Sequence, residues 1–370
     1  MKVLWVNGGI LDYGGISSYL MNYYRNINKE DMVIDFVVQG DGENQFKEEI
    51  SQNGGNIYQI PNKSKNLYKN IRKLTEILNS GNYDIVHAHA DAGNGLILKL
   101  AKKENIKVRI SHSHSTNCLL KSRVRRILND LQRKAIRNYA TDLWGCSEEA
   151  CQWLYGVETG YTIIHNAIDT SKYSFDPNIR NTIRKRFFLE EELALCQIGH
   201  LGYIKNQQFS IRLLNEMKQT YPDVKVKLFM IGSGEKSQLV ELAKEFHLEK
   251  DIVFLGQRTD VNEILQGMDG LLQPSLFEGF PVTLVEAQAA GIKCYVSERI
   301  SHSVALVPEL IDFLPVDERQ IMRWASEIVE NRNYKRSVSQ QVLERKGFDI
   351  KTEAKKLRED YYKLLEREKR

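Results

Sequence analysis

The chain has 370 residues, of which 42% are hydrophobic and 27% charged, with a net charge of +4. That length exceeds one ordinary core and suits two domains of roughly 150 to 200 residues. The composition excludes a disordered chain, the charge alone does not specify nucleic acid, and no run of about 18 apolar residues is present to span a membrane.

From the first residue, MKVLWVNGG predicts a buried strand and a glycine turn; its apolar run is too short for a secretory signal. Short β-like runs at 3–6, 33–38, 57–60, 85–89, 108–111, 143–146 and 162–164 alternate with helical stretches such as 16–27, 67–78 and 96–103. The rhythm restarts with strands at 194–198, 226–231, 252–255, 271–273 and 293–296. Helices at 209–221, 239–246, 264–268 and 282–290 lie between them. A polar stretch, 166–178, ends in Asp176-Pro177-Asn178 and is the expected linker. The reading is α/β with two doubly wound domains, 1–168 and 169–348. Ligands are expected at the carboxyl ends of the strands, facing a cleft between the domains. The tail 349–370 carries an apolar stripe of Ile350, Ala354, Leu357, Tyr361 and Leu364, which predicts an amphipathic helix covering a domain from outside.

Five cysteines (118, 146, 151, 196, 294) are odd in number and lack C-x-x-C spacing. Reduced thiols in a cytoplasmic protein fit this better than disulfides or a zinc site.

The most informative segment runs from Gln273 to Glu286 and opens at the end of a predicted strand. Gly279 permits close backbone approach, Phe280 follows it, and Pro281 suits a first helical turn. The amides of Val282, Thr283 and Leu284 then become unpaired helix-start donors, which with the helix dipole favour an anion such as a diphosphate. Glu278 precedes the glycine within reach of sugar hydroxyls, and Glu286, one turn inside the helix, suits the vicinal diol of a ribose.

Glu278 and Glu286, seven residues between them and Gly-Phe-Pro after the first, resemble the paired-glutamate signature of retaining glycosyltransferase family 4. Gly14-Gly15, Asp84 to His89, Ile164 to Asp169, Met230 to Gly234 and Phe254 to Gly256 continue the resemblance in order along nearly the whole chain. It is closest to bacterial capsular and exopolysaccharide transferases, and it implies a GT-B fold of two Rossmann-like domains, the C-terminal helix packing back on the N-terminal one. It also implies donor-sugar contact for Glu278, ribose contact for Glu286, and a lysine that stabilises the leaving diphosphate. Lys205 fits that lysine, within Gly199-His200-Leu201-Gly202-Tyr203-Ile204-Lys205. Where the family's motif has Arg this chain has His200, or Tyr203 under a shifted alignment; neither is a permanent bidentate cation, and Arg258 is an alternative source of the charge.

In the first half, Gly14 and Gly15 open the first helix, and Gly15 is the expected lid on the diphosphate. Two His-x-His pairs, His87/His89 and His112/His114, end strands, and i and i+2 share a face. Zinc is disfavoured because neither pair has a third ligand set by spacing, and no Asp-x-Asp motif is present for Mg²⁺. No metal or cofactor is therefore expected. The resemblance implies an acceptor-side histidine, His112 or His114, with His112 preferred. A basic stretch (Lys121, Arg123, Arg125, Arg126, Arg133, Lys134, Arg137) interleaves with Val124, Leu128, Leu131 and Ala135, and suits peripheral contact with anionic lipid at the inner membrane face.

The expected activity is transfer of a hexose or N-acetylhexosamine from a nucleotide sugar, UDP-linked, to a hydroxyl of a glycan or lipid-linked acceptor in surface polysaccharide synthesis, with no nucleic-acid partner. The rival readings are a nucleotide-sugar epimerase on the same fold and a partner subunit with impaired catalysis.

Overall fold

The computed structural model describes residues 1–117, 123–336 and 340–369, with the backbone alone at 123–125. Cys118 and Lys121, and the side chains of Arg123, Val124 and Arg125, lie outside the described residues. The chain divides into two compact units, one of Met1–Ala167 with Ile350–Arg370 and one of Ile168–Asp349.

The first unit is built on strands β1 (Lys2–Asn7), β2 (Val33–Gln39), β3 (Ile57–Ile60), β4 (Ile85–His89), β5 (Val108–Ser113), β6 (Asp142–Gly145) and β7 (Thr162–Ile163). They form one sheet in the order β3-β2-β1-β4-β5-β6-β7, every pairing parallel. The second unit repeats the plan with β8 (Leu193–Ile198), β9 (Val226–Ile231), β10 (Ile252–Gly256), β11 (Gly270–Gln273), β12 (Lys293–Ser297) and β13 (Ile311–Leu314). Their order is β10-β9-β8-β11-β12-β13, again parallel. The central strands β4, β8 and β12 are buried along their whole length, as expected when helices cover both faces of a parallel sheet. The strand order reverses between β1 and β4 in one sheet and between β8 and β11 in the other. Those reversals are the places where such sheets accept ligands.

Alternation sorts the first sheet's side chains. Leu4, Val6, Val86 and Ala88 join one core. Trp5, Phe36, Ile110 and Trp144 join the other, with Tyr19, Leu20 and Tyr23 of the helix Gly15–Asn26. The C-terminal helix Ile350–Arg367 packs into that second core through Ile350, Ala354, Leu357 and Tyr361, each at most 1% exposed. In the second unit, Phe209, Leu213 and Met217 of the helix Gln207–Thr220 close over β8 and β9 with Trp324 and Ile328.

The stretch 166–178 contains the division between the units at Ala167/Ile168, as expected of a linker, and it also holds a short helix, Thr170–Tyr173, and the start of another, Pro177–Arg186. Asp176 caps the latter by accepting from the Asn178 amide at 2.7 Å, so Asp-Pro here opens a helix. The strand β13 follows a loop with no strong apolar alternation and was not expected from sequence.

Replacing Leu357 by Ala removes a side chain 1% exposed from the helix that completes the first unit. A loss of about 2–5 kcal/mol is expected for such a truncation, read as a lowered urea midpoint. A midpoint unchanged from the parent would contradict the docking of this helix.

Candidate functional site

At the carboxyl edge of the second sheet, three loops are knitted together by backbone hydrogen bonds. The Gly199 amide donates to Ile231 O at 2.9 Å, Leu201 to Ser233 O at 2.7 Å, and Gly232 to Gly256 O at 2.9 Å. Gly199 (φ +142°) and Gly232 (φ +145°) adopt backbone that side chains rarely tolerate. A Cβ on Gly232 would overlap the carbonyl of Gly199, and one on Gly199 would stand 2.7 Å from Lys205 Cε. The glycines therefore bring the strand ends together and leave the Lys205 side chain its place.

The loop after β8 is also tied to the loop after β11. Leu276 N donates to Ile204 O at 2.8 Å, Asn206 Nδ2 to Pro274 O at 3.2 Å, and Gln197 Nε2 to Lys205 O at 2.6 Å. Across this junction Lys205 Nζ meets Glu278 Oε1 at 2.7 Å, the two side chains 19% and 15% exposed. Gln273 Nε2 donates to the same oxygen at 3.0 Å. Two of the residues singled out from sequence are thus direct partners.

The helix that follows runs Val282–Ala289, and Pro281 is its N-cap, outside the first turn where the sequence pattern put it. With Pro281 in that place its carbonyl accepts from the Leu284 amide at 3.1 Å. Leu284 is therefore not an unpaired donor, which leaves Val282 and Thr283 as the helix-start amides. Among the described residues, Thr283 Oγ1 and Gln273 Oε1 are buried with no hydrogen-bond partner. Buried polar atoms are nearly always paired, so their position beside the β8/β11 reversal suits a polar ligand. Phe280 is buried and stacks on Phe348 at 5.4 Å, which anchors the turn at Gly279.

Glu286 accepts a 2.7 Å hydrogen bond from the Tyr173 hydroxyl. Burial raises its carboxyl to about 7, partly offset by that bond. Tyr173 was missed from sequence because it lies in the stretch read as linker, 113 residues from its partner. His200 is exposed, with Ser233 Oγ 3.5 Å from its Nδ1. Arg258 makes two bonds to Asp260 at 2.7 and 2.6 Å, and Arg186 shares that carboxylate at 2.9 Å. Two guanidinium groups on one carboxylate leave a net positive patch here.

In the first unit, Gly14 caps the helix Gly15–Asn26 with extended backbone. Its amide donates to Asp12 Oδ1 at 2.8 Å, which also accepts from Ser17 Oγ at 3.0 Å. A Cβ on Gly15 would meet nothing within 4 Å, so this helix start is open. The two His-x-His pairs do not stay separate. His87 Nε2 lies 3.1 Å from His112 Nδ1, and His89 Nδ1 lies 2.9 Å from His114 Nε2. His87, His89 and His112 bring ring nitrogens within 4.8 Å of one another. His112 is thus the third nitrogen that spacing alone does not give the His87/His89 pair, so the expectation against zinc at that pair loses its ground. Desolvation pushes all four imidazoles down, His114 to about 3, so they are neutral. His112 lies inside β5 and His114 just beyond it.

The four described cysteines, 146, 151, 196 and 294, are free and buried.

A carboxyl raised from 4.5 to about 7 in the folded chain favours the protonated folded form. Its stabilising effect is complete below pH 4.5 and lost as pH rises through 7. Glu286→Gln is therefore expected to stabilise the ligand-free chain at pH 8 by on the order of 1–3 kcal/mol relative to the parent. At pH 4.5 the difference should vanish. Urea melts at the two pH values measure it, and a pH-independent difference would contradict the shift.

Two family models match successive parts of the chain, Glycosyltransferase Family 4 over residues 13–172 and Glycosyl transferases group 1 over residues 178–310. EpsF of Bacillus subtilis, named as a glycosyltransferase, is 28% identical over 94% of this chain and 93% of its own length. The Escherichia coli enzyme named UDP-Gal:alpha-D-GlcNAc-diphosphoundecaprenol alpha-1,3-galactosyltransferase is 24% identical over 66% of each chain. Among solved structures, HepE of Anabaena in complex with UDP-glucose superposes with a TM-score of 0.79 over 98% of this chain and all of its own, at 16% identity. The parallel sheets, the matching family models and these relatives together make the chain a glycosyltransferase of the GT-B type.

Proposed function

We propose that the chain transfers a hexose or N-acetylhexosamine from a UDP-sugar to a hydroxyl of a glycan or lipid-linked acceptor, with retention at the anomeric carbon and without a metal. The observation that carries this reading is the Lys205–Glu278 pair at the β8/β11 reversal, next to the helix start at Val282. A diphosphate offered to Lys205 and to the amides of Val282 and Thr283 gains a cation and a helix terminus at once. Lys205 then exchanges part of its contact with Glu278 for phosphate, and Glu278 turns to the sugar hydroxyls. Glu286, with Tyr173 behind it, accepts from the ribose diol. The exposed His200 and the Arg258 patch are the nearby groups able to supply the charge that Arg provides in the family's motif.

Glu278 is already engaged by Lys205 and Gln273, so a front-face displacement is more economical than a carboxylate nucleophile. The bond from anomeric carbon to phosphate oxygen breaks and the acceptor oxygen bonds on the same face. The acceptor proton passes to the departing phosphate. Lys205 and the helix-start amides hold the charge that grows on that phosphate, the main electrostatic task. The complexes of HepE with UDP and with UDP-glucose, and the lipid-linked acceptor in the name of the Escherichia coli relative, favour these substrate classes.

The membrane-facing part of the proposal rests on the helix Arg123–Tyr139. Ile127, Leu128 and Leu131 are 53%, 52% and 59% exposed on it, beside exposed Arg126, Lys134 and Arg137. Exposed apolar side chains flanked by cations suit an anionic lipid surface. Surface polysaccharide synthesis from the cytoplasmic side is the corresponding setting, supported by the relative CapH of Staphylococcus aureus, named for capsular polysaccharide biosynthesis.

In a thermal-shift screen of nucleotides and nucleotide sugars, UDP and one UDP-sugar should raise the melting temperature more than ADP or GDP. Lys205→Ala should lower kcat/KM with that sugar by about 100- to 1,000-fold; activity within twofold of the parent would overturn the assignment. For the lipid surface, Leu128→Glu with Leu131→Glu should abolish co-sedimentation with phosphatidylglycerol vesicles. Equal recovery of the parent on phosphatidylcholine and phosphatidylglycerol vesicles would contradict it.

A further inference from the structure

The imidazole block in the first unit has a direction that the hydrogen-bond chemistry fixes. Trp5 Nε1 donates to Tyr361 Oη at 2.9 Å. An indole nitrogen only donates, so the Tyr361 oxygen is the acceptor in that bond and its own proton must go elsewhere. Among the described residues its other partner is His87 Nδ1, at 2.7 Å. A buried hydroxyl proton left unpaired is costly, so Tyr361 donates to His87 Nδ1. His87 is neutral and fully buried; with Nδ1 accepting, its single proton sits on Nε2. That proton faces His112 Nδ1 at 3.1 Å. His112, neutral in turn, must then carry its proton on Nε2, a nitrogen that is buried with no hydrogen-bond partner.

We infer that Tyr361, on the C-terminal helix, acts through His87 to hold His112 as the neutral Nε2–H tautomer, which makes His112 a hydrogen-bond donor to a substrate oxygen and not the base that takes the acceptor's proton. Each link has its own structural cause. Trp5 and His87 face each other across β1 and β4, and His87 and His112 lie on neighbouring strands of one sheet face. Tyr361 is fully buried, and its ring stacks on Trp144 at 5.8 Å with 11° between planes. The titratable rings packed against His112 are His89 and His114 from the same sheet and Tyr19 from the helix Gly15–Asn26. None of them adds a charge when the imidazoles are neutral and the tyrosine protonated. Tyr19 Oη and His89 Nε2 are, like His112 Nε2, buried and unpartnered among the described residues. A ligand oxygen is the acceptor that an N–H in this setting lacks.

The tautomer follows from the hydrogen bonds between buried, neutral rings. Its consequence for substrate rests on the reading above that an acceptor-side histidine serves sugar transfer. In that case removal of the acceptor proton is left to the departing phosphate, and Tyr361 is a positioning residue.

The test is a long-range ¹H–¹⁵N spectrum of the full chain labelled with ¹⁵N-histidine, taken at pH 7 without substrate. His112 is assigned by the signals lost in His112→Gln. The expected spectrum shows a proton-bearing Nε2 and a lone-pair Nδ1. In Tyr361→Phe, which keeps the ring and removes the hydroxyl, both His112 nitrogens should move toward the average of the two tautomers. Trp5→Phe should do the same by freeing Tyr361 Oη to accept from His87, and it serves if Tyr361→Phe does not fold. A parent spectrum with the proton on Nδ1, or with a doubly protonated His112, would overturn the relay. So would an unmoved His112 in both variants. Because no substrate is present, the relay can hold in a chain that transfers no sugar, and a sugar-transferring chain with the opposite tautomer would sink the relay alone.

Discussion

A side chain on Gly232 would run into the carbonyl of Gly199, so the ends of β8 and β9 can lie as they do only because residue 232 has no Cβ. From this approach the rest of the second unit's edge follows. The loop after β8 turns through Gly202 and Asn206, the latter at φ +56°, and is caught by Pro274 and Leu276 from the loop after β11. Only then can Lys205 and Glu278, far apart in sequence, come within 2.7 Å. Removing each charge from water costs several kcal/mol, and a pair in this setting adds little net stability. What it does is keep an ammonium and a carboxylate in place at a strand-order reversal. Under the proposed function, an arriving anion would meet a cation already oriented, which limits the reorganisation needed at the moment of reaction.

The first unit uses the same topology for a different kind of interior. Its β1/β4 reversal leads to a block of four neutral imidazoles, enclosed by Trp5, Tyr19, Trp144 and Tyr361. Burying four titratable rings is tolerable because each pairs with another and none is charged. The C-terminal helix matters here beyond covering apolar surface. By placing one hydroxyl between Trp5 and His87 it fixes where protons sit two rings away.

Much of the architecture was legible because it is local. Strand and helix periods, the glycines after β1 and β8, and the apolar stripe of the last helix are all encoded within a few residues of one another. So was the motif from Glu278 to Glu286, since its residues lie on one turn and one helix. The cap position of Pro281 was misread by one place, because proline tolerates both the N-cap and the first turn. The partners that complete the site were not legible. Tyr173 joins Glu286 across 113 residues, His87 joins His112 across 25, and Tyr361 joins His87 across 274. No spacing rule links such positions; the parallel sheet does, by bringing strand ends from distant segments to one edge. The interleaving of the histidine pairs is hidden for the same reason, since spacing shows each pair alone while β4 and β5 place them side by side.

The central claim is that the edge built by Gly199, Lys205, Glu278 and the Val282 helix start holds the diphosphate of a nucleotide. A crystal of the chain grown with UDP tests it most directly. The expected density places phosphate within hydrogen-bonding distance of Lys205 Nζ and of the Val282 and Thr283 amides, with the ribose at Glu286. Density for the diphosphate elsewhere, with the Lys205–Glu278 pair undisturbed, would contradict it.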